Sequence, residues 1–187
     1  MKAYVILLRG INVGGKNKVP MAGLRLCLED LGFSNVSTYI ASGNVILESD
    51  KPAKEIQSLI ETALPRYFKL DSELVKVRVL DRQQLQQVVG SKPAGFGEQP
   101  QLYHSDAIFL MDLDITEAMA VFRPREGVDA VWPGDGVIYS QRLSAERTKS
   151  RLGAIVSTPA YRSMTIRSWN TTTKLLDIIN GMESRKS

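Results

Sequence analysis

Ala3–Leu8 is an unbroken apolar run of strand length, and a strand apolar on both faces needs cover on both sides. It runs directly into Arg9–Val19, a loop with Gly10, Gly14 and Gly15 that carries Arg9, Lys16 and Lys18 and no acid. Pro20 then suits the first position of a helix, in which Met21, Leu24, Leu28 and Leu31 recur at helical spacing before Gly32 ends it. The chain must therefore fold as a covered sheet with a polar loop at the end of an inner strand.

The rest of the first half extends this pattern. Val36–Ile40 and Val45–Leu47 read as two strands joined through Ala41-Ser42-Gly43-Asn44. Ile56, Leu59, Ile60 and Ala63 form one face of a second helix, which Pro65 ends or restarts. Val75, Val77 and Val79 alternate as a further strand, and Asp81 caps a short helix closed by Gly90. Residues 91–104, with Pro93, Gly95, Gly97 and Pro100, read as a linker. The order of elements then repeats. Ala107–Met111 is a strand, Thr116–Phe122 a helix and Val128–Trp132 with Val137–Ser140 a hairpin. Ala145–Val156 follows as a helix, Met164–Arg167 as a strand and Thr171–Gly181 as a closing helix. The expected fold class is α+β, with two ferredoxin-like βαββαβ halves and mainly antiparallel sheets. Residues 1–90 form the first half, 91–104 the linker and 105–187 the second half.

In such a half the strands lie in the order 4-1-3-2. The loop after the first strand and the turn between the second and third then fall at one end of the sheet. That topology predicts that Arg9, Asn12, Gly14, Gly15, Lys16 and Lys18 share a surface with Ser42 and Asn44. Charge supports an anionic partner there. The chain has a net charge of +4, but its distribution says more than the total. Residues 1–18 carry Lys2, Arg9, Lys16 and Lys18 without an acid, and 141–174 carry seven cations against Glu146 alone. Residues 105–135 are acidic and read as a solvated face. A second anion-favouring stretch is Thr165–Lys174, where Arg167, Asn170 and Lys174 fall at the start of the closing helix. Its plainer reading is that Trp169 packs, Ser168 or Asn170 caps and Lys174 is solvated.

Several function classes fit poorly. Gly10 to Lys16 satisfies G-x-x-x-x-G-K, yet Asn17 stands where a P-loop needs Ser or Thr, and the helix starts too late. RNA-recognition modules stack bases on aromatic residues of their first and third strands, and here those strands offer only Tyr4. Cys27 and His104 are the only residues of their types, which excludes an internal disulfide and His- or Cys-rich metal sites. No Ser-His-Asp set is evident, and His104 reads as a surface or capping residue. No stretch reaches membrane-spanning length. The expectation is a cytoplasmic protein without cofactor or membrane association. It binds a phosphorylated small molecule or a nucleic-acid backbone at the Gly-rich basic loop. The alternatives are an enzyme acting on a phosphorylated substrate and a protein–protein interaction module.

Leu8-Arg9-Gly10-Ile11-Asn12-Val13-Gly14-Gly15-Lys16-Asn17-Lys18-Val19-Pro20-Met21, Leu31-Gly32-Phe33 and Thr38–Val45 together resemble the signature of the bacterial domain-of-unknown-function family 1697. Thr165-x-Arg167-Ser168-Trp169-Asn170-Thr171 is similar to that family's second pattern, with Ser168 where Asn is common. The resemblance implies an α+β protein of two ferredoxin-like halves. It carries no activity over, and it draws attention to the polar residues of the loop and turn.

Overall fold

The first apolar run becomes β1 (Lys2–Leu8), buried at every position from Ala3 to Leu8. It pairs antiparallel with β3 (Asn44–Ser49) on one side and β4 (Val77–Asp81) on the other, and β2 (Ser34–Tyr39) lies outside β3. The sheet order is β2-β3-β1-β4, the expected arrangement. Between the strands run α1 (Met21–Asp30) and α2 (Ala53–Tyr67). Leu24, Leu28, Ile56, Ile60 and Leu64 of these helices join Ile6, Leu8, Val45 and Leu47 in one core. Each such side chain contributes about 1.5–3 kcal/mol through burial. Pro65 lies within the last turn of α2, which runs on to Tyr67 rather than ending at the proline.

The computed structural model describes residues 1–184. They fall into two units, one comprising Met1–Leu85 and the chain from Lys174, the other Gln86–Thr173. In the second unit β5 (Tyr103–Leu110) pairs antiparallel with β7 (Val137–Leu143) and β8 (Met164–Ser168), and β6 (Asp129–Pro133) lies outside β7. The order β6-β7-β5-β8 repeats that of the first sheet. A mixed α+β fold with two antiparallel four-stranded sheets is thus established. Two further helices are capped as their sequences imply. Asp81 and Gln84 exchange side-chain-to-backbone hydrogen bonds of 2.8 and 2.9 Å at the start of α3 (Arg82–Gly90), a reciprocal capping box. Ser168 Oγ accepts from Thr171 N at 3.2 Å at the start of α5 (Trp169–Ser184), two residues earlier than the expected start.

One expected helix is absent. Instead of a helix over 145–156, the chain makes three short 3₁₀ turns at Ser144–Lys149, Leu152–Ser157 and Pro159–Ser163. Ser150 and Thr158 between them are extended, with ψ of 141° and 148°. Only Leu152 and Ile155 of this stretch are buried, a spacing of three that matches a 3₁₀ turn and leaves no second helical turn to anchor. The short α4 (Ile115–Ala120) is capped by Asp114, whose carboxylate accepts from Thr116 N at 2.8 Å. Residues 93–97 supply Phe96, which is 1% exposed and packs edge-on to Trp132, Tyr139 and Trp169 at 5.9, 5.3 and 5.0 Å.

Among the described residues no helix is long and apolar enough to cross a membrane. Cys27 on α1 is fully buried, and burial, with the neighbouring Asp30 charge, raises its thiol to a pKa of about 11. At pH 8 roughly one thiol in a thousand is then ionised. We expect no labelling of the native chain by a thiol-reactive disulfide reagent over minutes, and stoichiometric labelling in denaturant. Rapid native labelling at Cys27 would contradict the packing of α1.

Candidate functional site

The loop between β1 and α1 is built as a miniature hairpin. Lys16 N donates to Val13 O and Asn12 N to Asn17 O, both at 3.0 Å. Gly14 and Gly15 between them have φ of 58° and 75°, the left-handed pair that a tight primed turn requires. Nothing lies within 4 Å of where their Cβ atoms would be. The two glycines thus serve backbone conformation, and the turn stands in open space.

Two asparagines fix this hairpin to the body of the unit. Asn12, at φ 55°, donates through Nδ2 to Val19 O at 2.9 Å and to Ala41 O at 2.8 Å, and its Oδ1 accepts from Val19 N at 2.8 Å. Asn17, at φ 47° and 6% exposed, donates through Nδ2 to Gly10 O and Ser72 Oγ at 3.0 and 2.9 Å. Its Oδ1 accepts from the backbone of Asp71 and Ser72 at 2.8 and 3.0 Å, and Asp71 Oδ2 accepts from Asn17 N at 2.6 Å. Short amide side chains tolerate positive φ, so Asn at these positions meets both the backbone and the bonding requirement.

The turn between β2 and β3 meets the loop. Leu8 N donates to Gly43 O at 2.8 Å, and Ala41 O is the acceptor used by Asn12. Gly43, at φ 85°, has Ile11 Cδ1 and Leu8 Cβ each 2.9 Å from where its own Cβ would lie, so a side chain there would separate the two loops. Asn44 is fully buried and donates to Tyr39 O and Ser42 Oγ, both at 3.0 Å. Ile40 stands at φ 51° and 52% exposed, a conformation strained for a β-branched residue.

Of the residues singled out in this unit, Lys16, Lys18, Gly14, Gly15 and Ser42 are exposed, while Arg9 is half-buried and its N–H donates to Lys76 O at 2.9 Å. Asn12 and Asn44 are engaged in holding the loops, and Asn17, which sequence reasoning weighed only against a P-loop, makes four such side-chain bonds. Its signal was available: an Asn two residues after a Gly-Gly pair is itself a left-handed-turn residue. The P-loop pattern is fortuitous. Lys16 lies on the hairpin well before α1 begins at Met21, the Asn17 side chain is spent on loop–loop bonds, and the sheet is antiparallel throughout.

The three C-terminal candidates part company. Arg167 is 6% exposed and donates through its guanidinium to Thr165 Oγ1 and Ile166 O, both at 2.9 Å. Burial lowers its pKa to about 10, which leaves it a cation at neutral pH. Asn170 is exposed on the wall of a cavity in the second unit. Lys174 lines a different cavity of about 710 Å³, within the first unit, beside Glu48 and Asp177. His104, read from sequence as a surface or capping residue, pairs through Nε2 with Asp106 Oδ2 at 3.1 Å. Two positions apart on a strand, they share a face, which was the available signal.

A family model described as a protein of unknown function, DUF1697, matches residues 1–139. The chain belongs to the DUF1697 family. The matched part holds the whole loop and turn just described and stops short of Thr165–Thr171. The solved structure of the conserved bacterial protein SP0830 from Streptococcus pneumoniae is similar, at 28% identity and a TM-score of 0.80. The likeness covers 95% of this chain and 98% of that one, so it takes in residues of both units. No curated protein matches.

Proposed function

We propose that this DUF1697 protein is a cytoplasmic binding protein for a phosphate-rich polyanion, of which a nucleic-acid backbone is the first candidate. The observation that carries this reading is the pairing of rigidity with uncommitted charge. Lys16 and Lys18 are exposed and make no ion pair among the described residues, on a loop fixed by Asn12 and Asn17. Cations displayed on a fixed scaffold bind phosphates without first ordering a mobile loop. Exposure favours an extended polyanion over a small phosphorylated molecule, since small ligands are held in concave sites. The matching strand orders of the two sheets support reading both units as ferredoxin-like halves.

The test is fluorescence anisotropy with labelled single- and double-stranded oligonucleotides across a salt series. We expect affinity to fall steeply with salt and to be indifferent to sequence. The Lys16→Ala/Lys18→Ala variant should lower the salt slope by about two. Binding of equal strength and salt dependence in that variant would remove the loop from the interface, and no binding at about 50 mM salt would end the proposal.

A further inference from the structure

The second unit holds a cavity of about 420 Å³ that the basic-loop reading does not use. It forms because β5 outruns its neighbour. The pairing of β5 with β8 begins at Asp106↔Ser168, so Tyr103, His104 and Ser105 extend past the point where the chain turns into α5. Gly97, Pro100 and Trp169 supply its apolar walls. Trp169 is 8% exposed and held edge-on to Phe96 and Tyr139, with ring centroids 5.0 and 6.2 Å away, so the indole is a fixed wall.

The polar groups of the lining divide in two. Three hydroxyls are spent inside the protein. Ser105 Oγ donates to Gln141 Oε1 at 2.9 Å, Ser168 Oγ to Thr171 Oγ1 at 3.0 Å and Thr173 Oγ1 to Asn170 O at 3.1 Å. The Tyr103 hydroxyl, the Asn170 carboxamide and Nδ1 of His104 have no partner among the described residues. Asp106 Oδ2 takes Nε2 of His104 at 3.1 Å, which leaves Nδ1 as the ring nitrogen available to a ligand. The lining contains no Lys or Arg. An anionic ligand therefore has no fixed cation to meet, and a cationic one has no carboxylate on the wall.

We propose that this cavity binds an uncharged, flat heterocycle of the nucleobase class, placed against Trp169 with its polar edge toward Asn170, His104 and Tyr103. The volume is in the range of sites that enclose small ligands. A carboxamide offers a donor and an acceptor side by side, the pattern that complements a base edge. An imidazole nitrogen and a phenol complete the set, and the indole supplies the apolar surface that a ring needs. The ligand needs no phosphate, so this site stands apart from the basic-loop reading.

The experiment titrates adenosine, guanosine, cytidine, uridine and free ribose into the full chain, followed by two-dimensional NMR of the tryptophan indoles and by calorimetry. At least one nucleoside is expected to shift the Trp169 indole resonance and to leave that of Trp132 in place. Asn170→Ala and His104→Gln, checked for folding by circular dichroism, should each raise Kd about tenfold, the value of one lost hydrogen bond. Lys16→Ala/Lys18→Ala should bind the nucleoside as the wild type does, so a failure of polyanion binding leaves this result intact. Three results would overturn the proposal: no nucleoside response at about 10 mM, ribose binding as strongly as the nucleosides, or full affinity in both variants.

Discussion

Gly97→Ala is expected to destabilise the second unit by about 3 kcal/mol, combining overpacking with left-handed backbone strain. Gly97 stands at φ 72°, and a Cβ there would lie 2.2 Å from Trp169 Cδ1 and 2.5 Å from Nε1. The indole cannot retreat cheaply, because Phe96 and Tyr139 hold it edge-on. Gly95→Ala is the matched control. It has φ of 79° and nothing within 4 Å of its missing Cβ, so it should show the conformational cost alone, about 1 kcal/mol. Urea denaturation of both variants measures the two costs separately. Equal losses in the two would mean that contact with Trp169 does not constrain Gly97.

Asn17→Ala should cost the first unit a comparable amount, about 3 kcal/mol. The substitution strips the acceptor from the N–H groups of Asp71 and Ser72 and the donor from Gly10 O and Ser72 Oγ, at a position 6% exposed. Four side-chain hydrogen bonds are lost together, which is why the loss exceeds the net value of a single bond. Amide hydrogen exchange at residues 71 and 72 should quicken in step. Asn17→Asp keeps an acceptor for the two backbone donors but sets a second carboxylate beside Asp71, so it too should destabilise the unit, most at neutral pH. A stability loss below about 1 kcal/mol in both variants would show that the loop is not held through this side chain. The functional consequence follows from the same bonds. Lys16 flanks Asn17, so a loop freed from residues 71–72 should bind polyanions more weakly even though both lysines remain.

The reading of sequence and the structure agree on the inner strand, the caps and the first sheet. The apolar run Ala3–Leu8 is a strand buried at every position, the caps at Asp81 and Ser168 form, and the strand order of the first sheet follows from the order of its elements. They diverge at 145–156. Two apolar residues spaced for a helix satisfy a 3₁₀ turn equally well, and extended Ser150 and Thr158 break the helix up. The structure also adds internal partners for polar residues. Asn12 and Asn44 drew attention as ligand contacts, and their amides are hydrogen-bonded within the loop–turn pair.

Strand, turn and cap assignments survive from the linear chain because side-chain period, positive-φ tolerance and capping chemistry act over a few residues. The partners of Asn17 lie at residues 71 and 72, and Arg167, grouped in the sequence with Asn170 and Lys174, is buried where Asn170 and Lys174 are exposed. Whether a polar side chain faces solvent, a ligand or another loop depends on which distant backbone groups need it. Those groups come within hydrogen-bond reach once the chain has closed on itself, so the division between tethering asparagines and displayed lysines belongs to the folded molecule.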